Sequence, residues 1–249
     1  MRTFRRPVSA RHSLDNGGCV ADGVDRCAPH AIRYNVMMPD PFGAGALRQQ
    51  PSRRLNHGVH GPAPTERQLR SEPLVTLVVC GAPLAIRTPD LVAALCGEGW
   101  RVSVVGTPAS AAWLDPVAIA RLTGEPPWLE FRSPYQPRLI DASSALVVCP
   151  ATFNTINKAA SGISDTYALG VLCEALSIGL PMVAVPMVNH RLWGHPAWAG
   201  SLNFMRRAGV RLVDVVSGGT VPTPVAAGAG DRVVAGFDPV WLTARLVTL

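Results

Sequence analysis

The segment 150–158 contains residue types that suit the binding of an anion. It has the sequence PATFNTINK and follows the apolar run Ala145–Cys149, so a strand is predicted to end at Pro150 and a helix to begin at about Thr155. Backbone N–H groups and hydroxyls at the N-terminus of a helix are suited to a phosphate. Most turns of this kind are simply capped helices, so the spacing alone leaves both interpretations open.

The surrounding sequence predicts the elements that would position this turn. Apolar runs typical of buried parallel strands lie at 74–80, 101–106, 145–149, 181–185 and 211–216. A helix is predicted from Thr88, whose hydroxyl would cap it, to Gly97. Further helices are predicted at about 165–177, 197–207 and 239–247, and a flexible loop at 217–230. The predicted fold class is α/β: an open parallel-sheet, Rossmann-like (flavodoxin-like) three-layer sandwich with a disordered N-terminal arm.

In an open parallel sheet, ligands sit beyond the carboxyl ends of the strands. This rule places the predicted site at four segments, which are 81–83, 107–110, 150–155 and 186–193.

The positive charge is concentrated in the first part of the chain. Residues 1–70 contain eleven Arg and five acidic residues, an excess of +6 that equals the formal charge of the whole chain. The rest is therefore close to neutral, which gives no ground for a nucleic-acid partner. Because residues 1–72 lack an apolar period, we expect a disordered basic arm followed by one domain at 73–249. A transit peptide, or a later start at Met37 or Met38, stays open.

The cysteines and the apolar runs bear on the compartment. The six cysteines show no CxxC pair and no metal-ligand spacing, which predicts a reduced, cytoplasmic protein without a zinc site. No apolar run reaches the roughly 18–20 residues that a membrane-spanning helix needs, so no membrane partner is predicted.

Two blocks of sequence resemble the homo-oligomeric flavin-containing cysteine decarboxylases, which include phosphopantothenoylcysteine decarboxylase and the lantibiotic decarboxylases. The first block, PATFNTINKAASGISD, is similar to the family pattern P-x-S-A-N-T-x-x-K-x-x-x-G-x-x-D, and its matching residues are Pro150, Asn154, Thr155, Lys158, Gly162 and Asp165. The second block, 181–193, resembles P-x-x-x-x-P-x-M-N-x-x-M-W. It keeps Pro186, Asn189 and Trp193, and has Val188 and Leu192 in place of the two methionines.

The resemblance implies an FMN cofactor at a subunit interface of a homotrimer or a higher homo-oligomer. It also implies that Asn189 holds the substrate carboxylate, although this side chain could equally be a cap for the turn before Trp193. Thr152 and Phe153 replace the Ser-Ala of the family pattern. The residues that the resemblance places against FMN are Gly81, Ala82, Pro83, Thr107, Pro108, Ala109, Thr152, Phe153, Asn154, Thr155 and Met187.

Two further departures from the family concern the reaction. In these decarboxylases FMN oxidises a cysteine thiol, the resulting thioaldehyde loses CO2, and a histidine before the first block is essential. Here that position is Gln136, and glutamine cannot exchange a proton near pH 7. Phosphopantothenoylcysteine decarboxylases also carry a cysteine in a mobile flap after the last strand. This chain has no cysteine after Cys173, so the resemblance does not predict a role in coenzyme A synthesis. His190 and His195 are either structural residues or substitutes for the missing base.

Three functions fit this pattern. The first is an FMN-dependent carboxy-lyase that oxidatively decarboxylates a cysteine-like or peptidyl thiol carboxylate. The second is a flavin-binding regulatory or partner protein without that activity, and the third is another flavin-modifying or redox reaction, such as prenyl transfer to the flavin. We favour the first because the cofactor and carboxylate positions are kept.

Overall fold

The computed structural model describes residues 72–131, 133, 135 and 138–246. The expected basic arm at 1–72 therefore lies, except for Glu72, outside the described residues, and so does Gln136.

Five parallel strands form one sheet in the order β2-β1-β3-β4-β5. Their bounds are β1 Leu74–Val79, β2 Arg101–Gly106, β3 Ser143–Ala151, β4 Met182–Pro186 and β5 Arg211–Leu212. All six residues of β1 are buried, as expected for the central part of a parallel sheet. The strand order reverses between β1 and β3, which makes this the topological switch point where ligands bind in such folds.

Helices cover both faces of the sheet. They are α1 Thr88–Gly97, α2 Pro116–Thr123, α3 Leu139–Ala142, α4 Phe153–Ala160, α5 Tyr167–Ser177, α6 His190–Trp193, α7 Pro196–Arg207, α8 Gly230–Gly236 and α9 Val240–Leu246. One hydrophobic cluster joins the sheet to α1, α2, α8 and α9, and a second joins it to α3, α4, α5 and α7. The predicted three-layer α/β class is thus confirmed. Within the described residues, no helix combines the length and apolarity needed to cross a bilayer.

The structure differs from two predicted helix starts, in the capping residue of α1 and in the first residue of α4. Thr88 was predicted to cap α1 but is its first residue, because a 3-10 turn at Pro83–Arg87 leads directly into the helix. Its hydroxyl instead donates to the Ala85 carbonyl at 2.7 Å. The helix expected from about Thr155 begins at Phe153, because the hydroxyl of Thr152 is the acceptor that caps it.

The segment after β5 was predicted to be a strand to residue 216 followed by a flexible loop, but its chain turns at Asp214. The Asp214 side chain is 1% exposed and accepts hydrogen bonds from Ser217 and Thr223, through both the backbone N–H and the hydroxyl of each. Burial by itself would raise the pKa of Asp214, but these hydrogen bonds outweigh it and hold the pKa below the ordinary value. One buried carboxylate therefore organises the chain that leads to α8.

We predict that Asp214→Asn destabilises the folded protein by about 1–3 kcal/mol, because an amide nitrogen would face donors that now have a carboxylate acceptor. Since the folded pKa is depressed, the stabilisation by Asp214 is present above the unfolded value of about 3.9 and is lost as the pH falls through the folded pKa. Urea unfolding at several pH values measures both effects.

Asp238→Asn is the matched control, since Asp238 is exposed and caps a turn by accepting from Val240 N–H, which asparagine also does. Equal stability of the two variants would contradict the role given to Asp214.

Candidate flavin site at the strand ends

A cavity of about 530 Å³ opens beyond the carboxyl ends of β1, β2, β3 and β4. We call it the strand-end cavity. It is lined by Gly81, Ala82, Pro83, Thr107, Ala109, Thr152, Phe153, Asn154, Met187, Val188, Asn189, Leu192, Val225, Ala226, Ala227, Gly228 and Gly230. The structure thus brings together Asn189 and all the predicted cofactor residues except Pro108 and Thr155.

These two residues lie beside the cavity and do not line it. Pro108 is the first residue of a 3-10 turn, Pro108–Ser110, and lines a neighbouring depression of about 340 Å³. Thr155 is 2% exposed, and its hydroxyl lies 3.1 Å from that of Thr152. The role of either residue towards a cofactor would therefore be to position its neighbours.

Backbone hydrogen bonds between adjacent strand ends fix the shape of the cavity. Thr107 N–H donates to the Val79 carbonyl at 2.9 Å, and Cys80 N–H donates to the Pro150 carbonyl at 3.1 Å. The turns after β1 and β2 are also pressed together, because a Cβ on Gly81 would lie 2.5 Å from the carbonyl oxygen of Ala109. Only glycine allows this approach.

The first turn of α4 has open donors. The Thr152 hydroxyl accepts from Thr155 N–H at 3.4 Å. A helical N–H donates to the carbonyl four residues earlier, and for Phe153 and Asn154 that carbonyl lies outside α4. No hydrogen bond among the described residues uses these two N–H groups. Two N–H groups without an acceptor at the positive end of a helix suit the binding of a phosphate.

Thr107 contributes a second unsatisfied group. The residue is 8% exposed, lines the cavity, and its Oγ1 is buried without a hydrogen-bond partner. A buried hydroxyl without a partner costs free energy, so native structures seldom keep one unless a ligand or water completes it.

Three other matching residues of the first block lie at the end of α4 and in the connection that follows it. Lys158 Nζ lies 2.5 Å from Asp165 Oδ2, and this hydrogen bond holds the pKa of Asp165 below its ordinary value. Gly162 has a φ of 72°, in the left-handed region that favours glycine. Lys158, Gly162 and Asp165 do not line the strand-end cavity, and Asp165 lines the neighbouring depression together with Pro108.

Asn189 has a structural contact and also borders the cavity. Its Oδ1 accepts from Arg191 N–H at 3.1 Å and from Leu192 N–H at 3.0 Å, which caps α6. The cap that the sequence left open is therefore present. It orients the amide so that Nδ2 remains a donor, and no hydrogen bond among the described residues uses that atom.

The segment 225–230 forms a wall of the cavity that was predicted only as part of a flexible loop. Val225 N–H donates to the Val188 carbonyl at 2.8 Å, and the Val225 carbonyl accepts from His190 N–H at 3.2 Å. Beyond this bridge, Arg87 donates to the carbonyls of Val234 and Phe237 and so holds α8 against the turn after β1. The wall is anchored on both sides.

None of the residues named as lining the cavity is titratable. The nearby thiols of Cys80 and Cys149 are buried, and burial raises the pKa of both. Neither His190 nor His195 lines the cavity, although the His195 ring contacts that of Phe153. No group of His, Cys, Asp or Glu in the described part of the chain could hold a metal ion.

The family model named Flavoprotein matches residues 62–235. The chain belongs to the flavoprotein family. This confirms the family resemblance predicted from the two sequence blocks.

The chain is similar to two curated proteins and to one solved structure. The chain is 22% identical over 161 residues to a probable phosphopantothenoylcysteine decarboxylase of Streptococcus mutans, covering 62% of this chain and 89% of that protein. It is 26% identical over 145 residues to the coenzyme A biosynthesis bifunctional protein CoaBC of Thermococcus kodakarensis, covering 56% of this chain but 36% of that longer protein. The crystal structure of the FMN-dependent cysteine decarboxylase SpaF superposes with a TM-score of 0.53 at 25% identity, covering 71% of this chain and 98% of SpaF.

We predict that Gly81→Ala destabilises the protein by about 1–3 kcal/mol, because its Cβ would push the turns after β1 and β2 apart. Thermal unfolding measures the change. Gly97→Ala is the control, since a Cβ there meets nothing within 4 Å at the end of α1. If both variants unfold at the wild-type temperature, the close approach does not shape the cavity.

Proposed function

We propose that the flavoprotein-family chain binds FMN in the strand-end cavity and oxidatively decarboxylates a cysteine-like or peptidyl thiol carboxylate. The observation that carries the proposal is the presence, around one cavity, of the open first turn of α4 and the unpartnered hydroxyl of Thr107. Both lack a partner that a phosphorylated, hydroxylated ligand would supply.

The residues present fit FMN in three respects. The N–H groups of Phe153 and Asn154 would hold its phosphate. The Thr107 hydroxyl would complete its hydrogen bonding with a polar atom of the cofactor. Ala82, which is buried, and Met187, which is 7% exposed, would offer an apolar surface to its ring system.

Bound FMN would supply the two-electron oxidation of the substrate thiol that precedes loss of CO2. The chain's own contribution is orientation and exclusion of water. Asn189 Nδ2 would donate to the substrate carboxylate, while its Oδ1 stays engaged in the cap of α6. Val188 and the wall at 225–230 would replace water around that carboxylate, which favours its departure as neutral CO2.

The reaction also needs a route for protons. Since none of the named lining residues titrates, the thiol proton would pass to solvent or to a group outside this cavity. This same observation favours the second candidate, a flavin-binding partner or regulatory protein without decarboxylase activity. In either case we propose a homotrimer or a higher homo-oligomer, as the family resemblance of the two sequence blocks implies.

We predict that Thr107→Val weakens FMN binding about 5- to 10-fold without lowering the stability of the unliganded protein. The valine removes a hydroxyl that has no hydrogen-bond partner within the protein but would gain one with the cofactor. Quenching of FMN fluorescence gives the dissociation constant, and thermal unfolding gives the stability. Unchanged affinity would remove Thr107 from the proposed site.

We predict that incubation with cysteine-ending peptides yields products that have lost CO2 and two hydrogens, detected by mass spectrometry.

Asn189→Asp should keep the cap of α6 and FMN binding, because aspartate is an equally good cap. It should lower the decarboxylation rate roughly 100-fold, because it places one carboxylate against another.

This assay distinguishes the two candidate functions. A protein that binds FMN but releases no CO2 from cysteine-ending peptides or from small cysteine-like thiol carboxylates lacks the proposed decarboxylase activity, as expected of the second candidate. Equal rates for wild type and Asn189→Asp would contradict the role proposed for the asparagine.

A further inference from the structure

His195 makes two contacts that join α7 to the strand-end cavity. Its Nδ1 accepts a hydrogen bond from Ala197 N–H at 3.2 Å, which caps the N-terminus of α7. Its ring meets the Phe153 ring edge-on, with centroids 5.4 Å apart and planes at 75°. Phe153 lines the cavity and is the first residue of α4, whose open turn is the proposed phosphate site.

The cap depends on the protonation state of the imidazole. Nδ1 can accept from Ala197 N–H only while it carries no proton, so the neutral ring must hold its proton on Nε2. Pro196, the first residue of α7, has no N–H, so Ala197 carries the first donor of the helix that needs an acceptor. A protonated ring loses this bond and also places a positive charge at the positive end of the α7 dipole.

His195 is exposed, and the helices packed around it offer a charged ring no acidic partner. The ionisable side chains of α4, α6 and α7 are Lys158, His190, Arg191, Arg206 and Arg207, all of them basic. Lys158 is paired with Asp165 in the connection after α4. No ion pair in the described part of the chain involves His195.

The start of α7 contacts Phe153, a residue that lines the cavity. Trp198, in the first turns of α7, is 1% exposed, and its ring lies 5.5 Å from that of Phe153. The two helices are also joined by a hydrogen bond from Ser201 Oγ to Asn157 Oδ1. Phe153 is thus held between His195 and Trp198, both of which belong to the capped end of α7.

We propose that His195 is a positioning residue that makes the strand-end cavity sensitive to pH: the neutral ring caps α7 and holds Phe153 in place, and the protonated ring releases both. The pH dependence of cofactor binding rests on the proposed FMN site, whereas the response of the aromatic cluster of Phe153, His195 and Trp198 does not.

The test compares the full-length wild type with His195→Asn, which caps at every pH, and with Phe153→Ala, which removes the link to the cavity. FMN affinity is measured by fluorescence quenching at about pH 8 and about pH 5.5, a range across which histidine changes charge. The near-ultraviolet circular dichroism of each protein without FMN is recorded at the same pH values. The FMN phosphate changes its charge in the same pH range with all three proteins, so only the differences between the proteins are informative.

We expect the wild-type affinity to fall between the two pH values about fivefold more than that of His195→Asn, with the aromatic dichroism of wild type changing and that of His195→Asn constant. We expect Phe153→Ala to follow the pH profile of His195→Asn. Identical profiles of wild type and His195→Asn would overturn the proposal, as would a wild-type profile in Phe153→Ala.

If none of the proteins binds FMN at either pH, the proposed function fails. The circular dichroism spectra then test the positioning role of His195 without any binding data. A pH-dependent wild-type spectrum beside a constant His195→Asn spectrum then supports the positioning role, and matching spectra overturn it.

Discussion

The candidate site depends on the contact between two backbone turns, Gly81 after β1 and Ala109 after β2. Parallel strands bring their carboxyl ends to one edge of the sheet, but they do not by themselves make a cavity with a fixed outline. The missing side chain at Gly81 allows the turns to meet. The hydrogen bond from Thr107 N–H to Val79 then fixes them together. As a result, Thr107 and the first turn of α4 both border the strand-end cavity.

The second half of the cavity is built from long-range contacts. Val225 pairs with the chain after β4, and the buried Asp214 fixes the turn that leads there. Arg87 holds α8 from the other side. These contacts turn a Gly- and Ala-rich segment into an anchored apolar wall. This wall carries no thiol and no base, which limits its part in any reaction to shape and exclusion of water.

Much of the fold was predictable because strands of a parallel sheet are short, apolar and β-branched, as at 74–79 and 101–106. The strand-end rule then located the cavity without knowledge of the family. What the sequence could not predict was the direction of individual side chains within turns, so Pro108 and Thr155 were placed on the cavity and lie beside it. α2 was missed although Asp115 and Pro116 are a good helix start, because the helix buries Ile119 and no other residue. The wall at 225–230 was missed because its anchors are distant in sequence.

The most direct test of the account is amide hydrogen exchange of the purified full-length protein with and without FMN, followed on peptides that contain the first turn of α4. If the N–H groups of Phe153 and Asn154 hold the cofactor phosphate, FMN should slow their exchange while leaving the exposed start of α2 unchanged. Exchange at Phe153 and Asn154 that does not respond to saturating FMN would contradict the central claim.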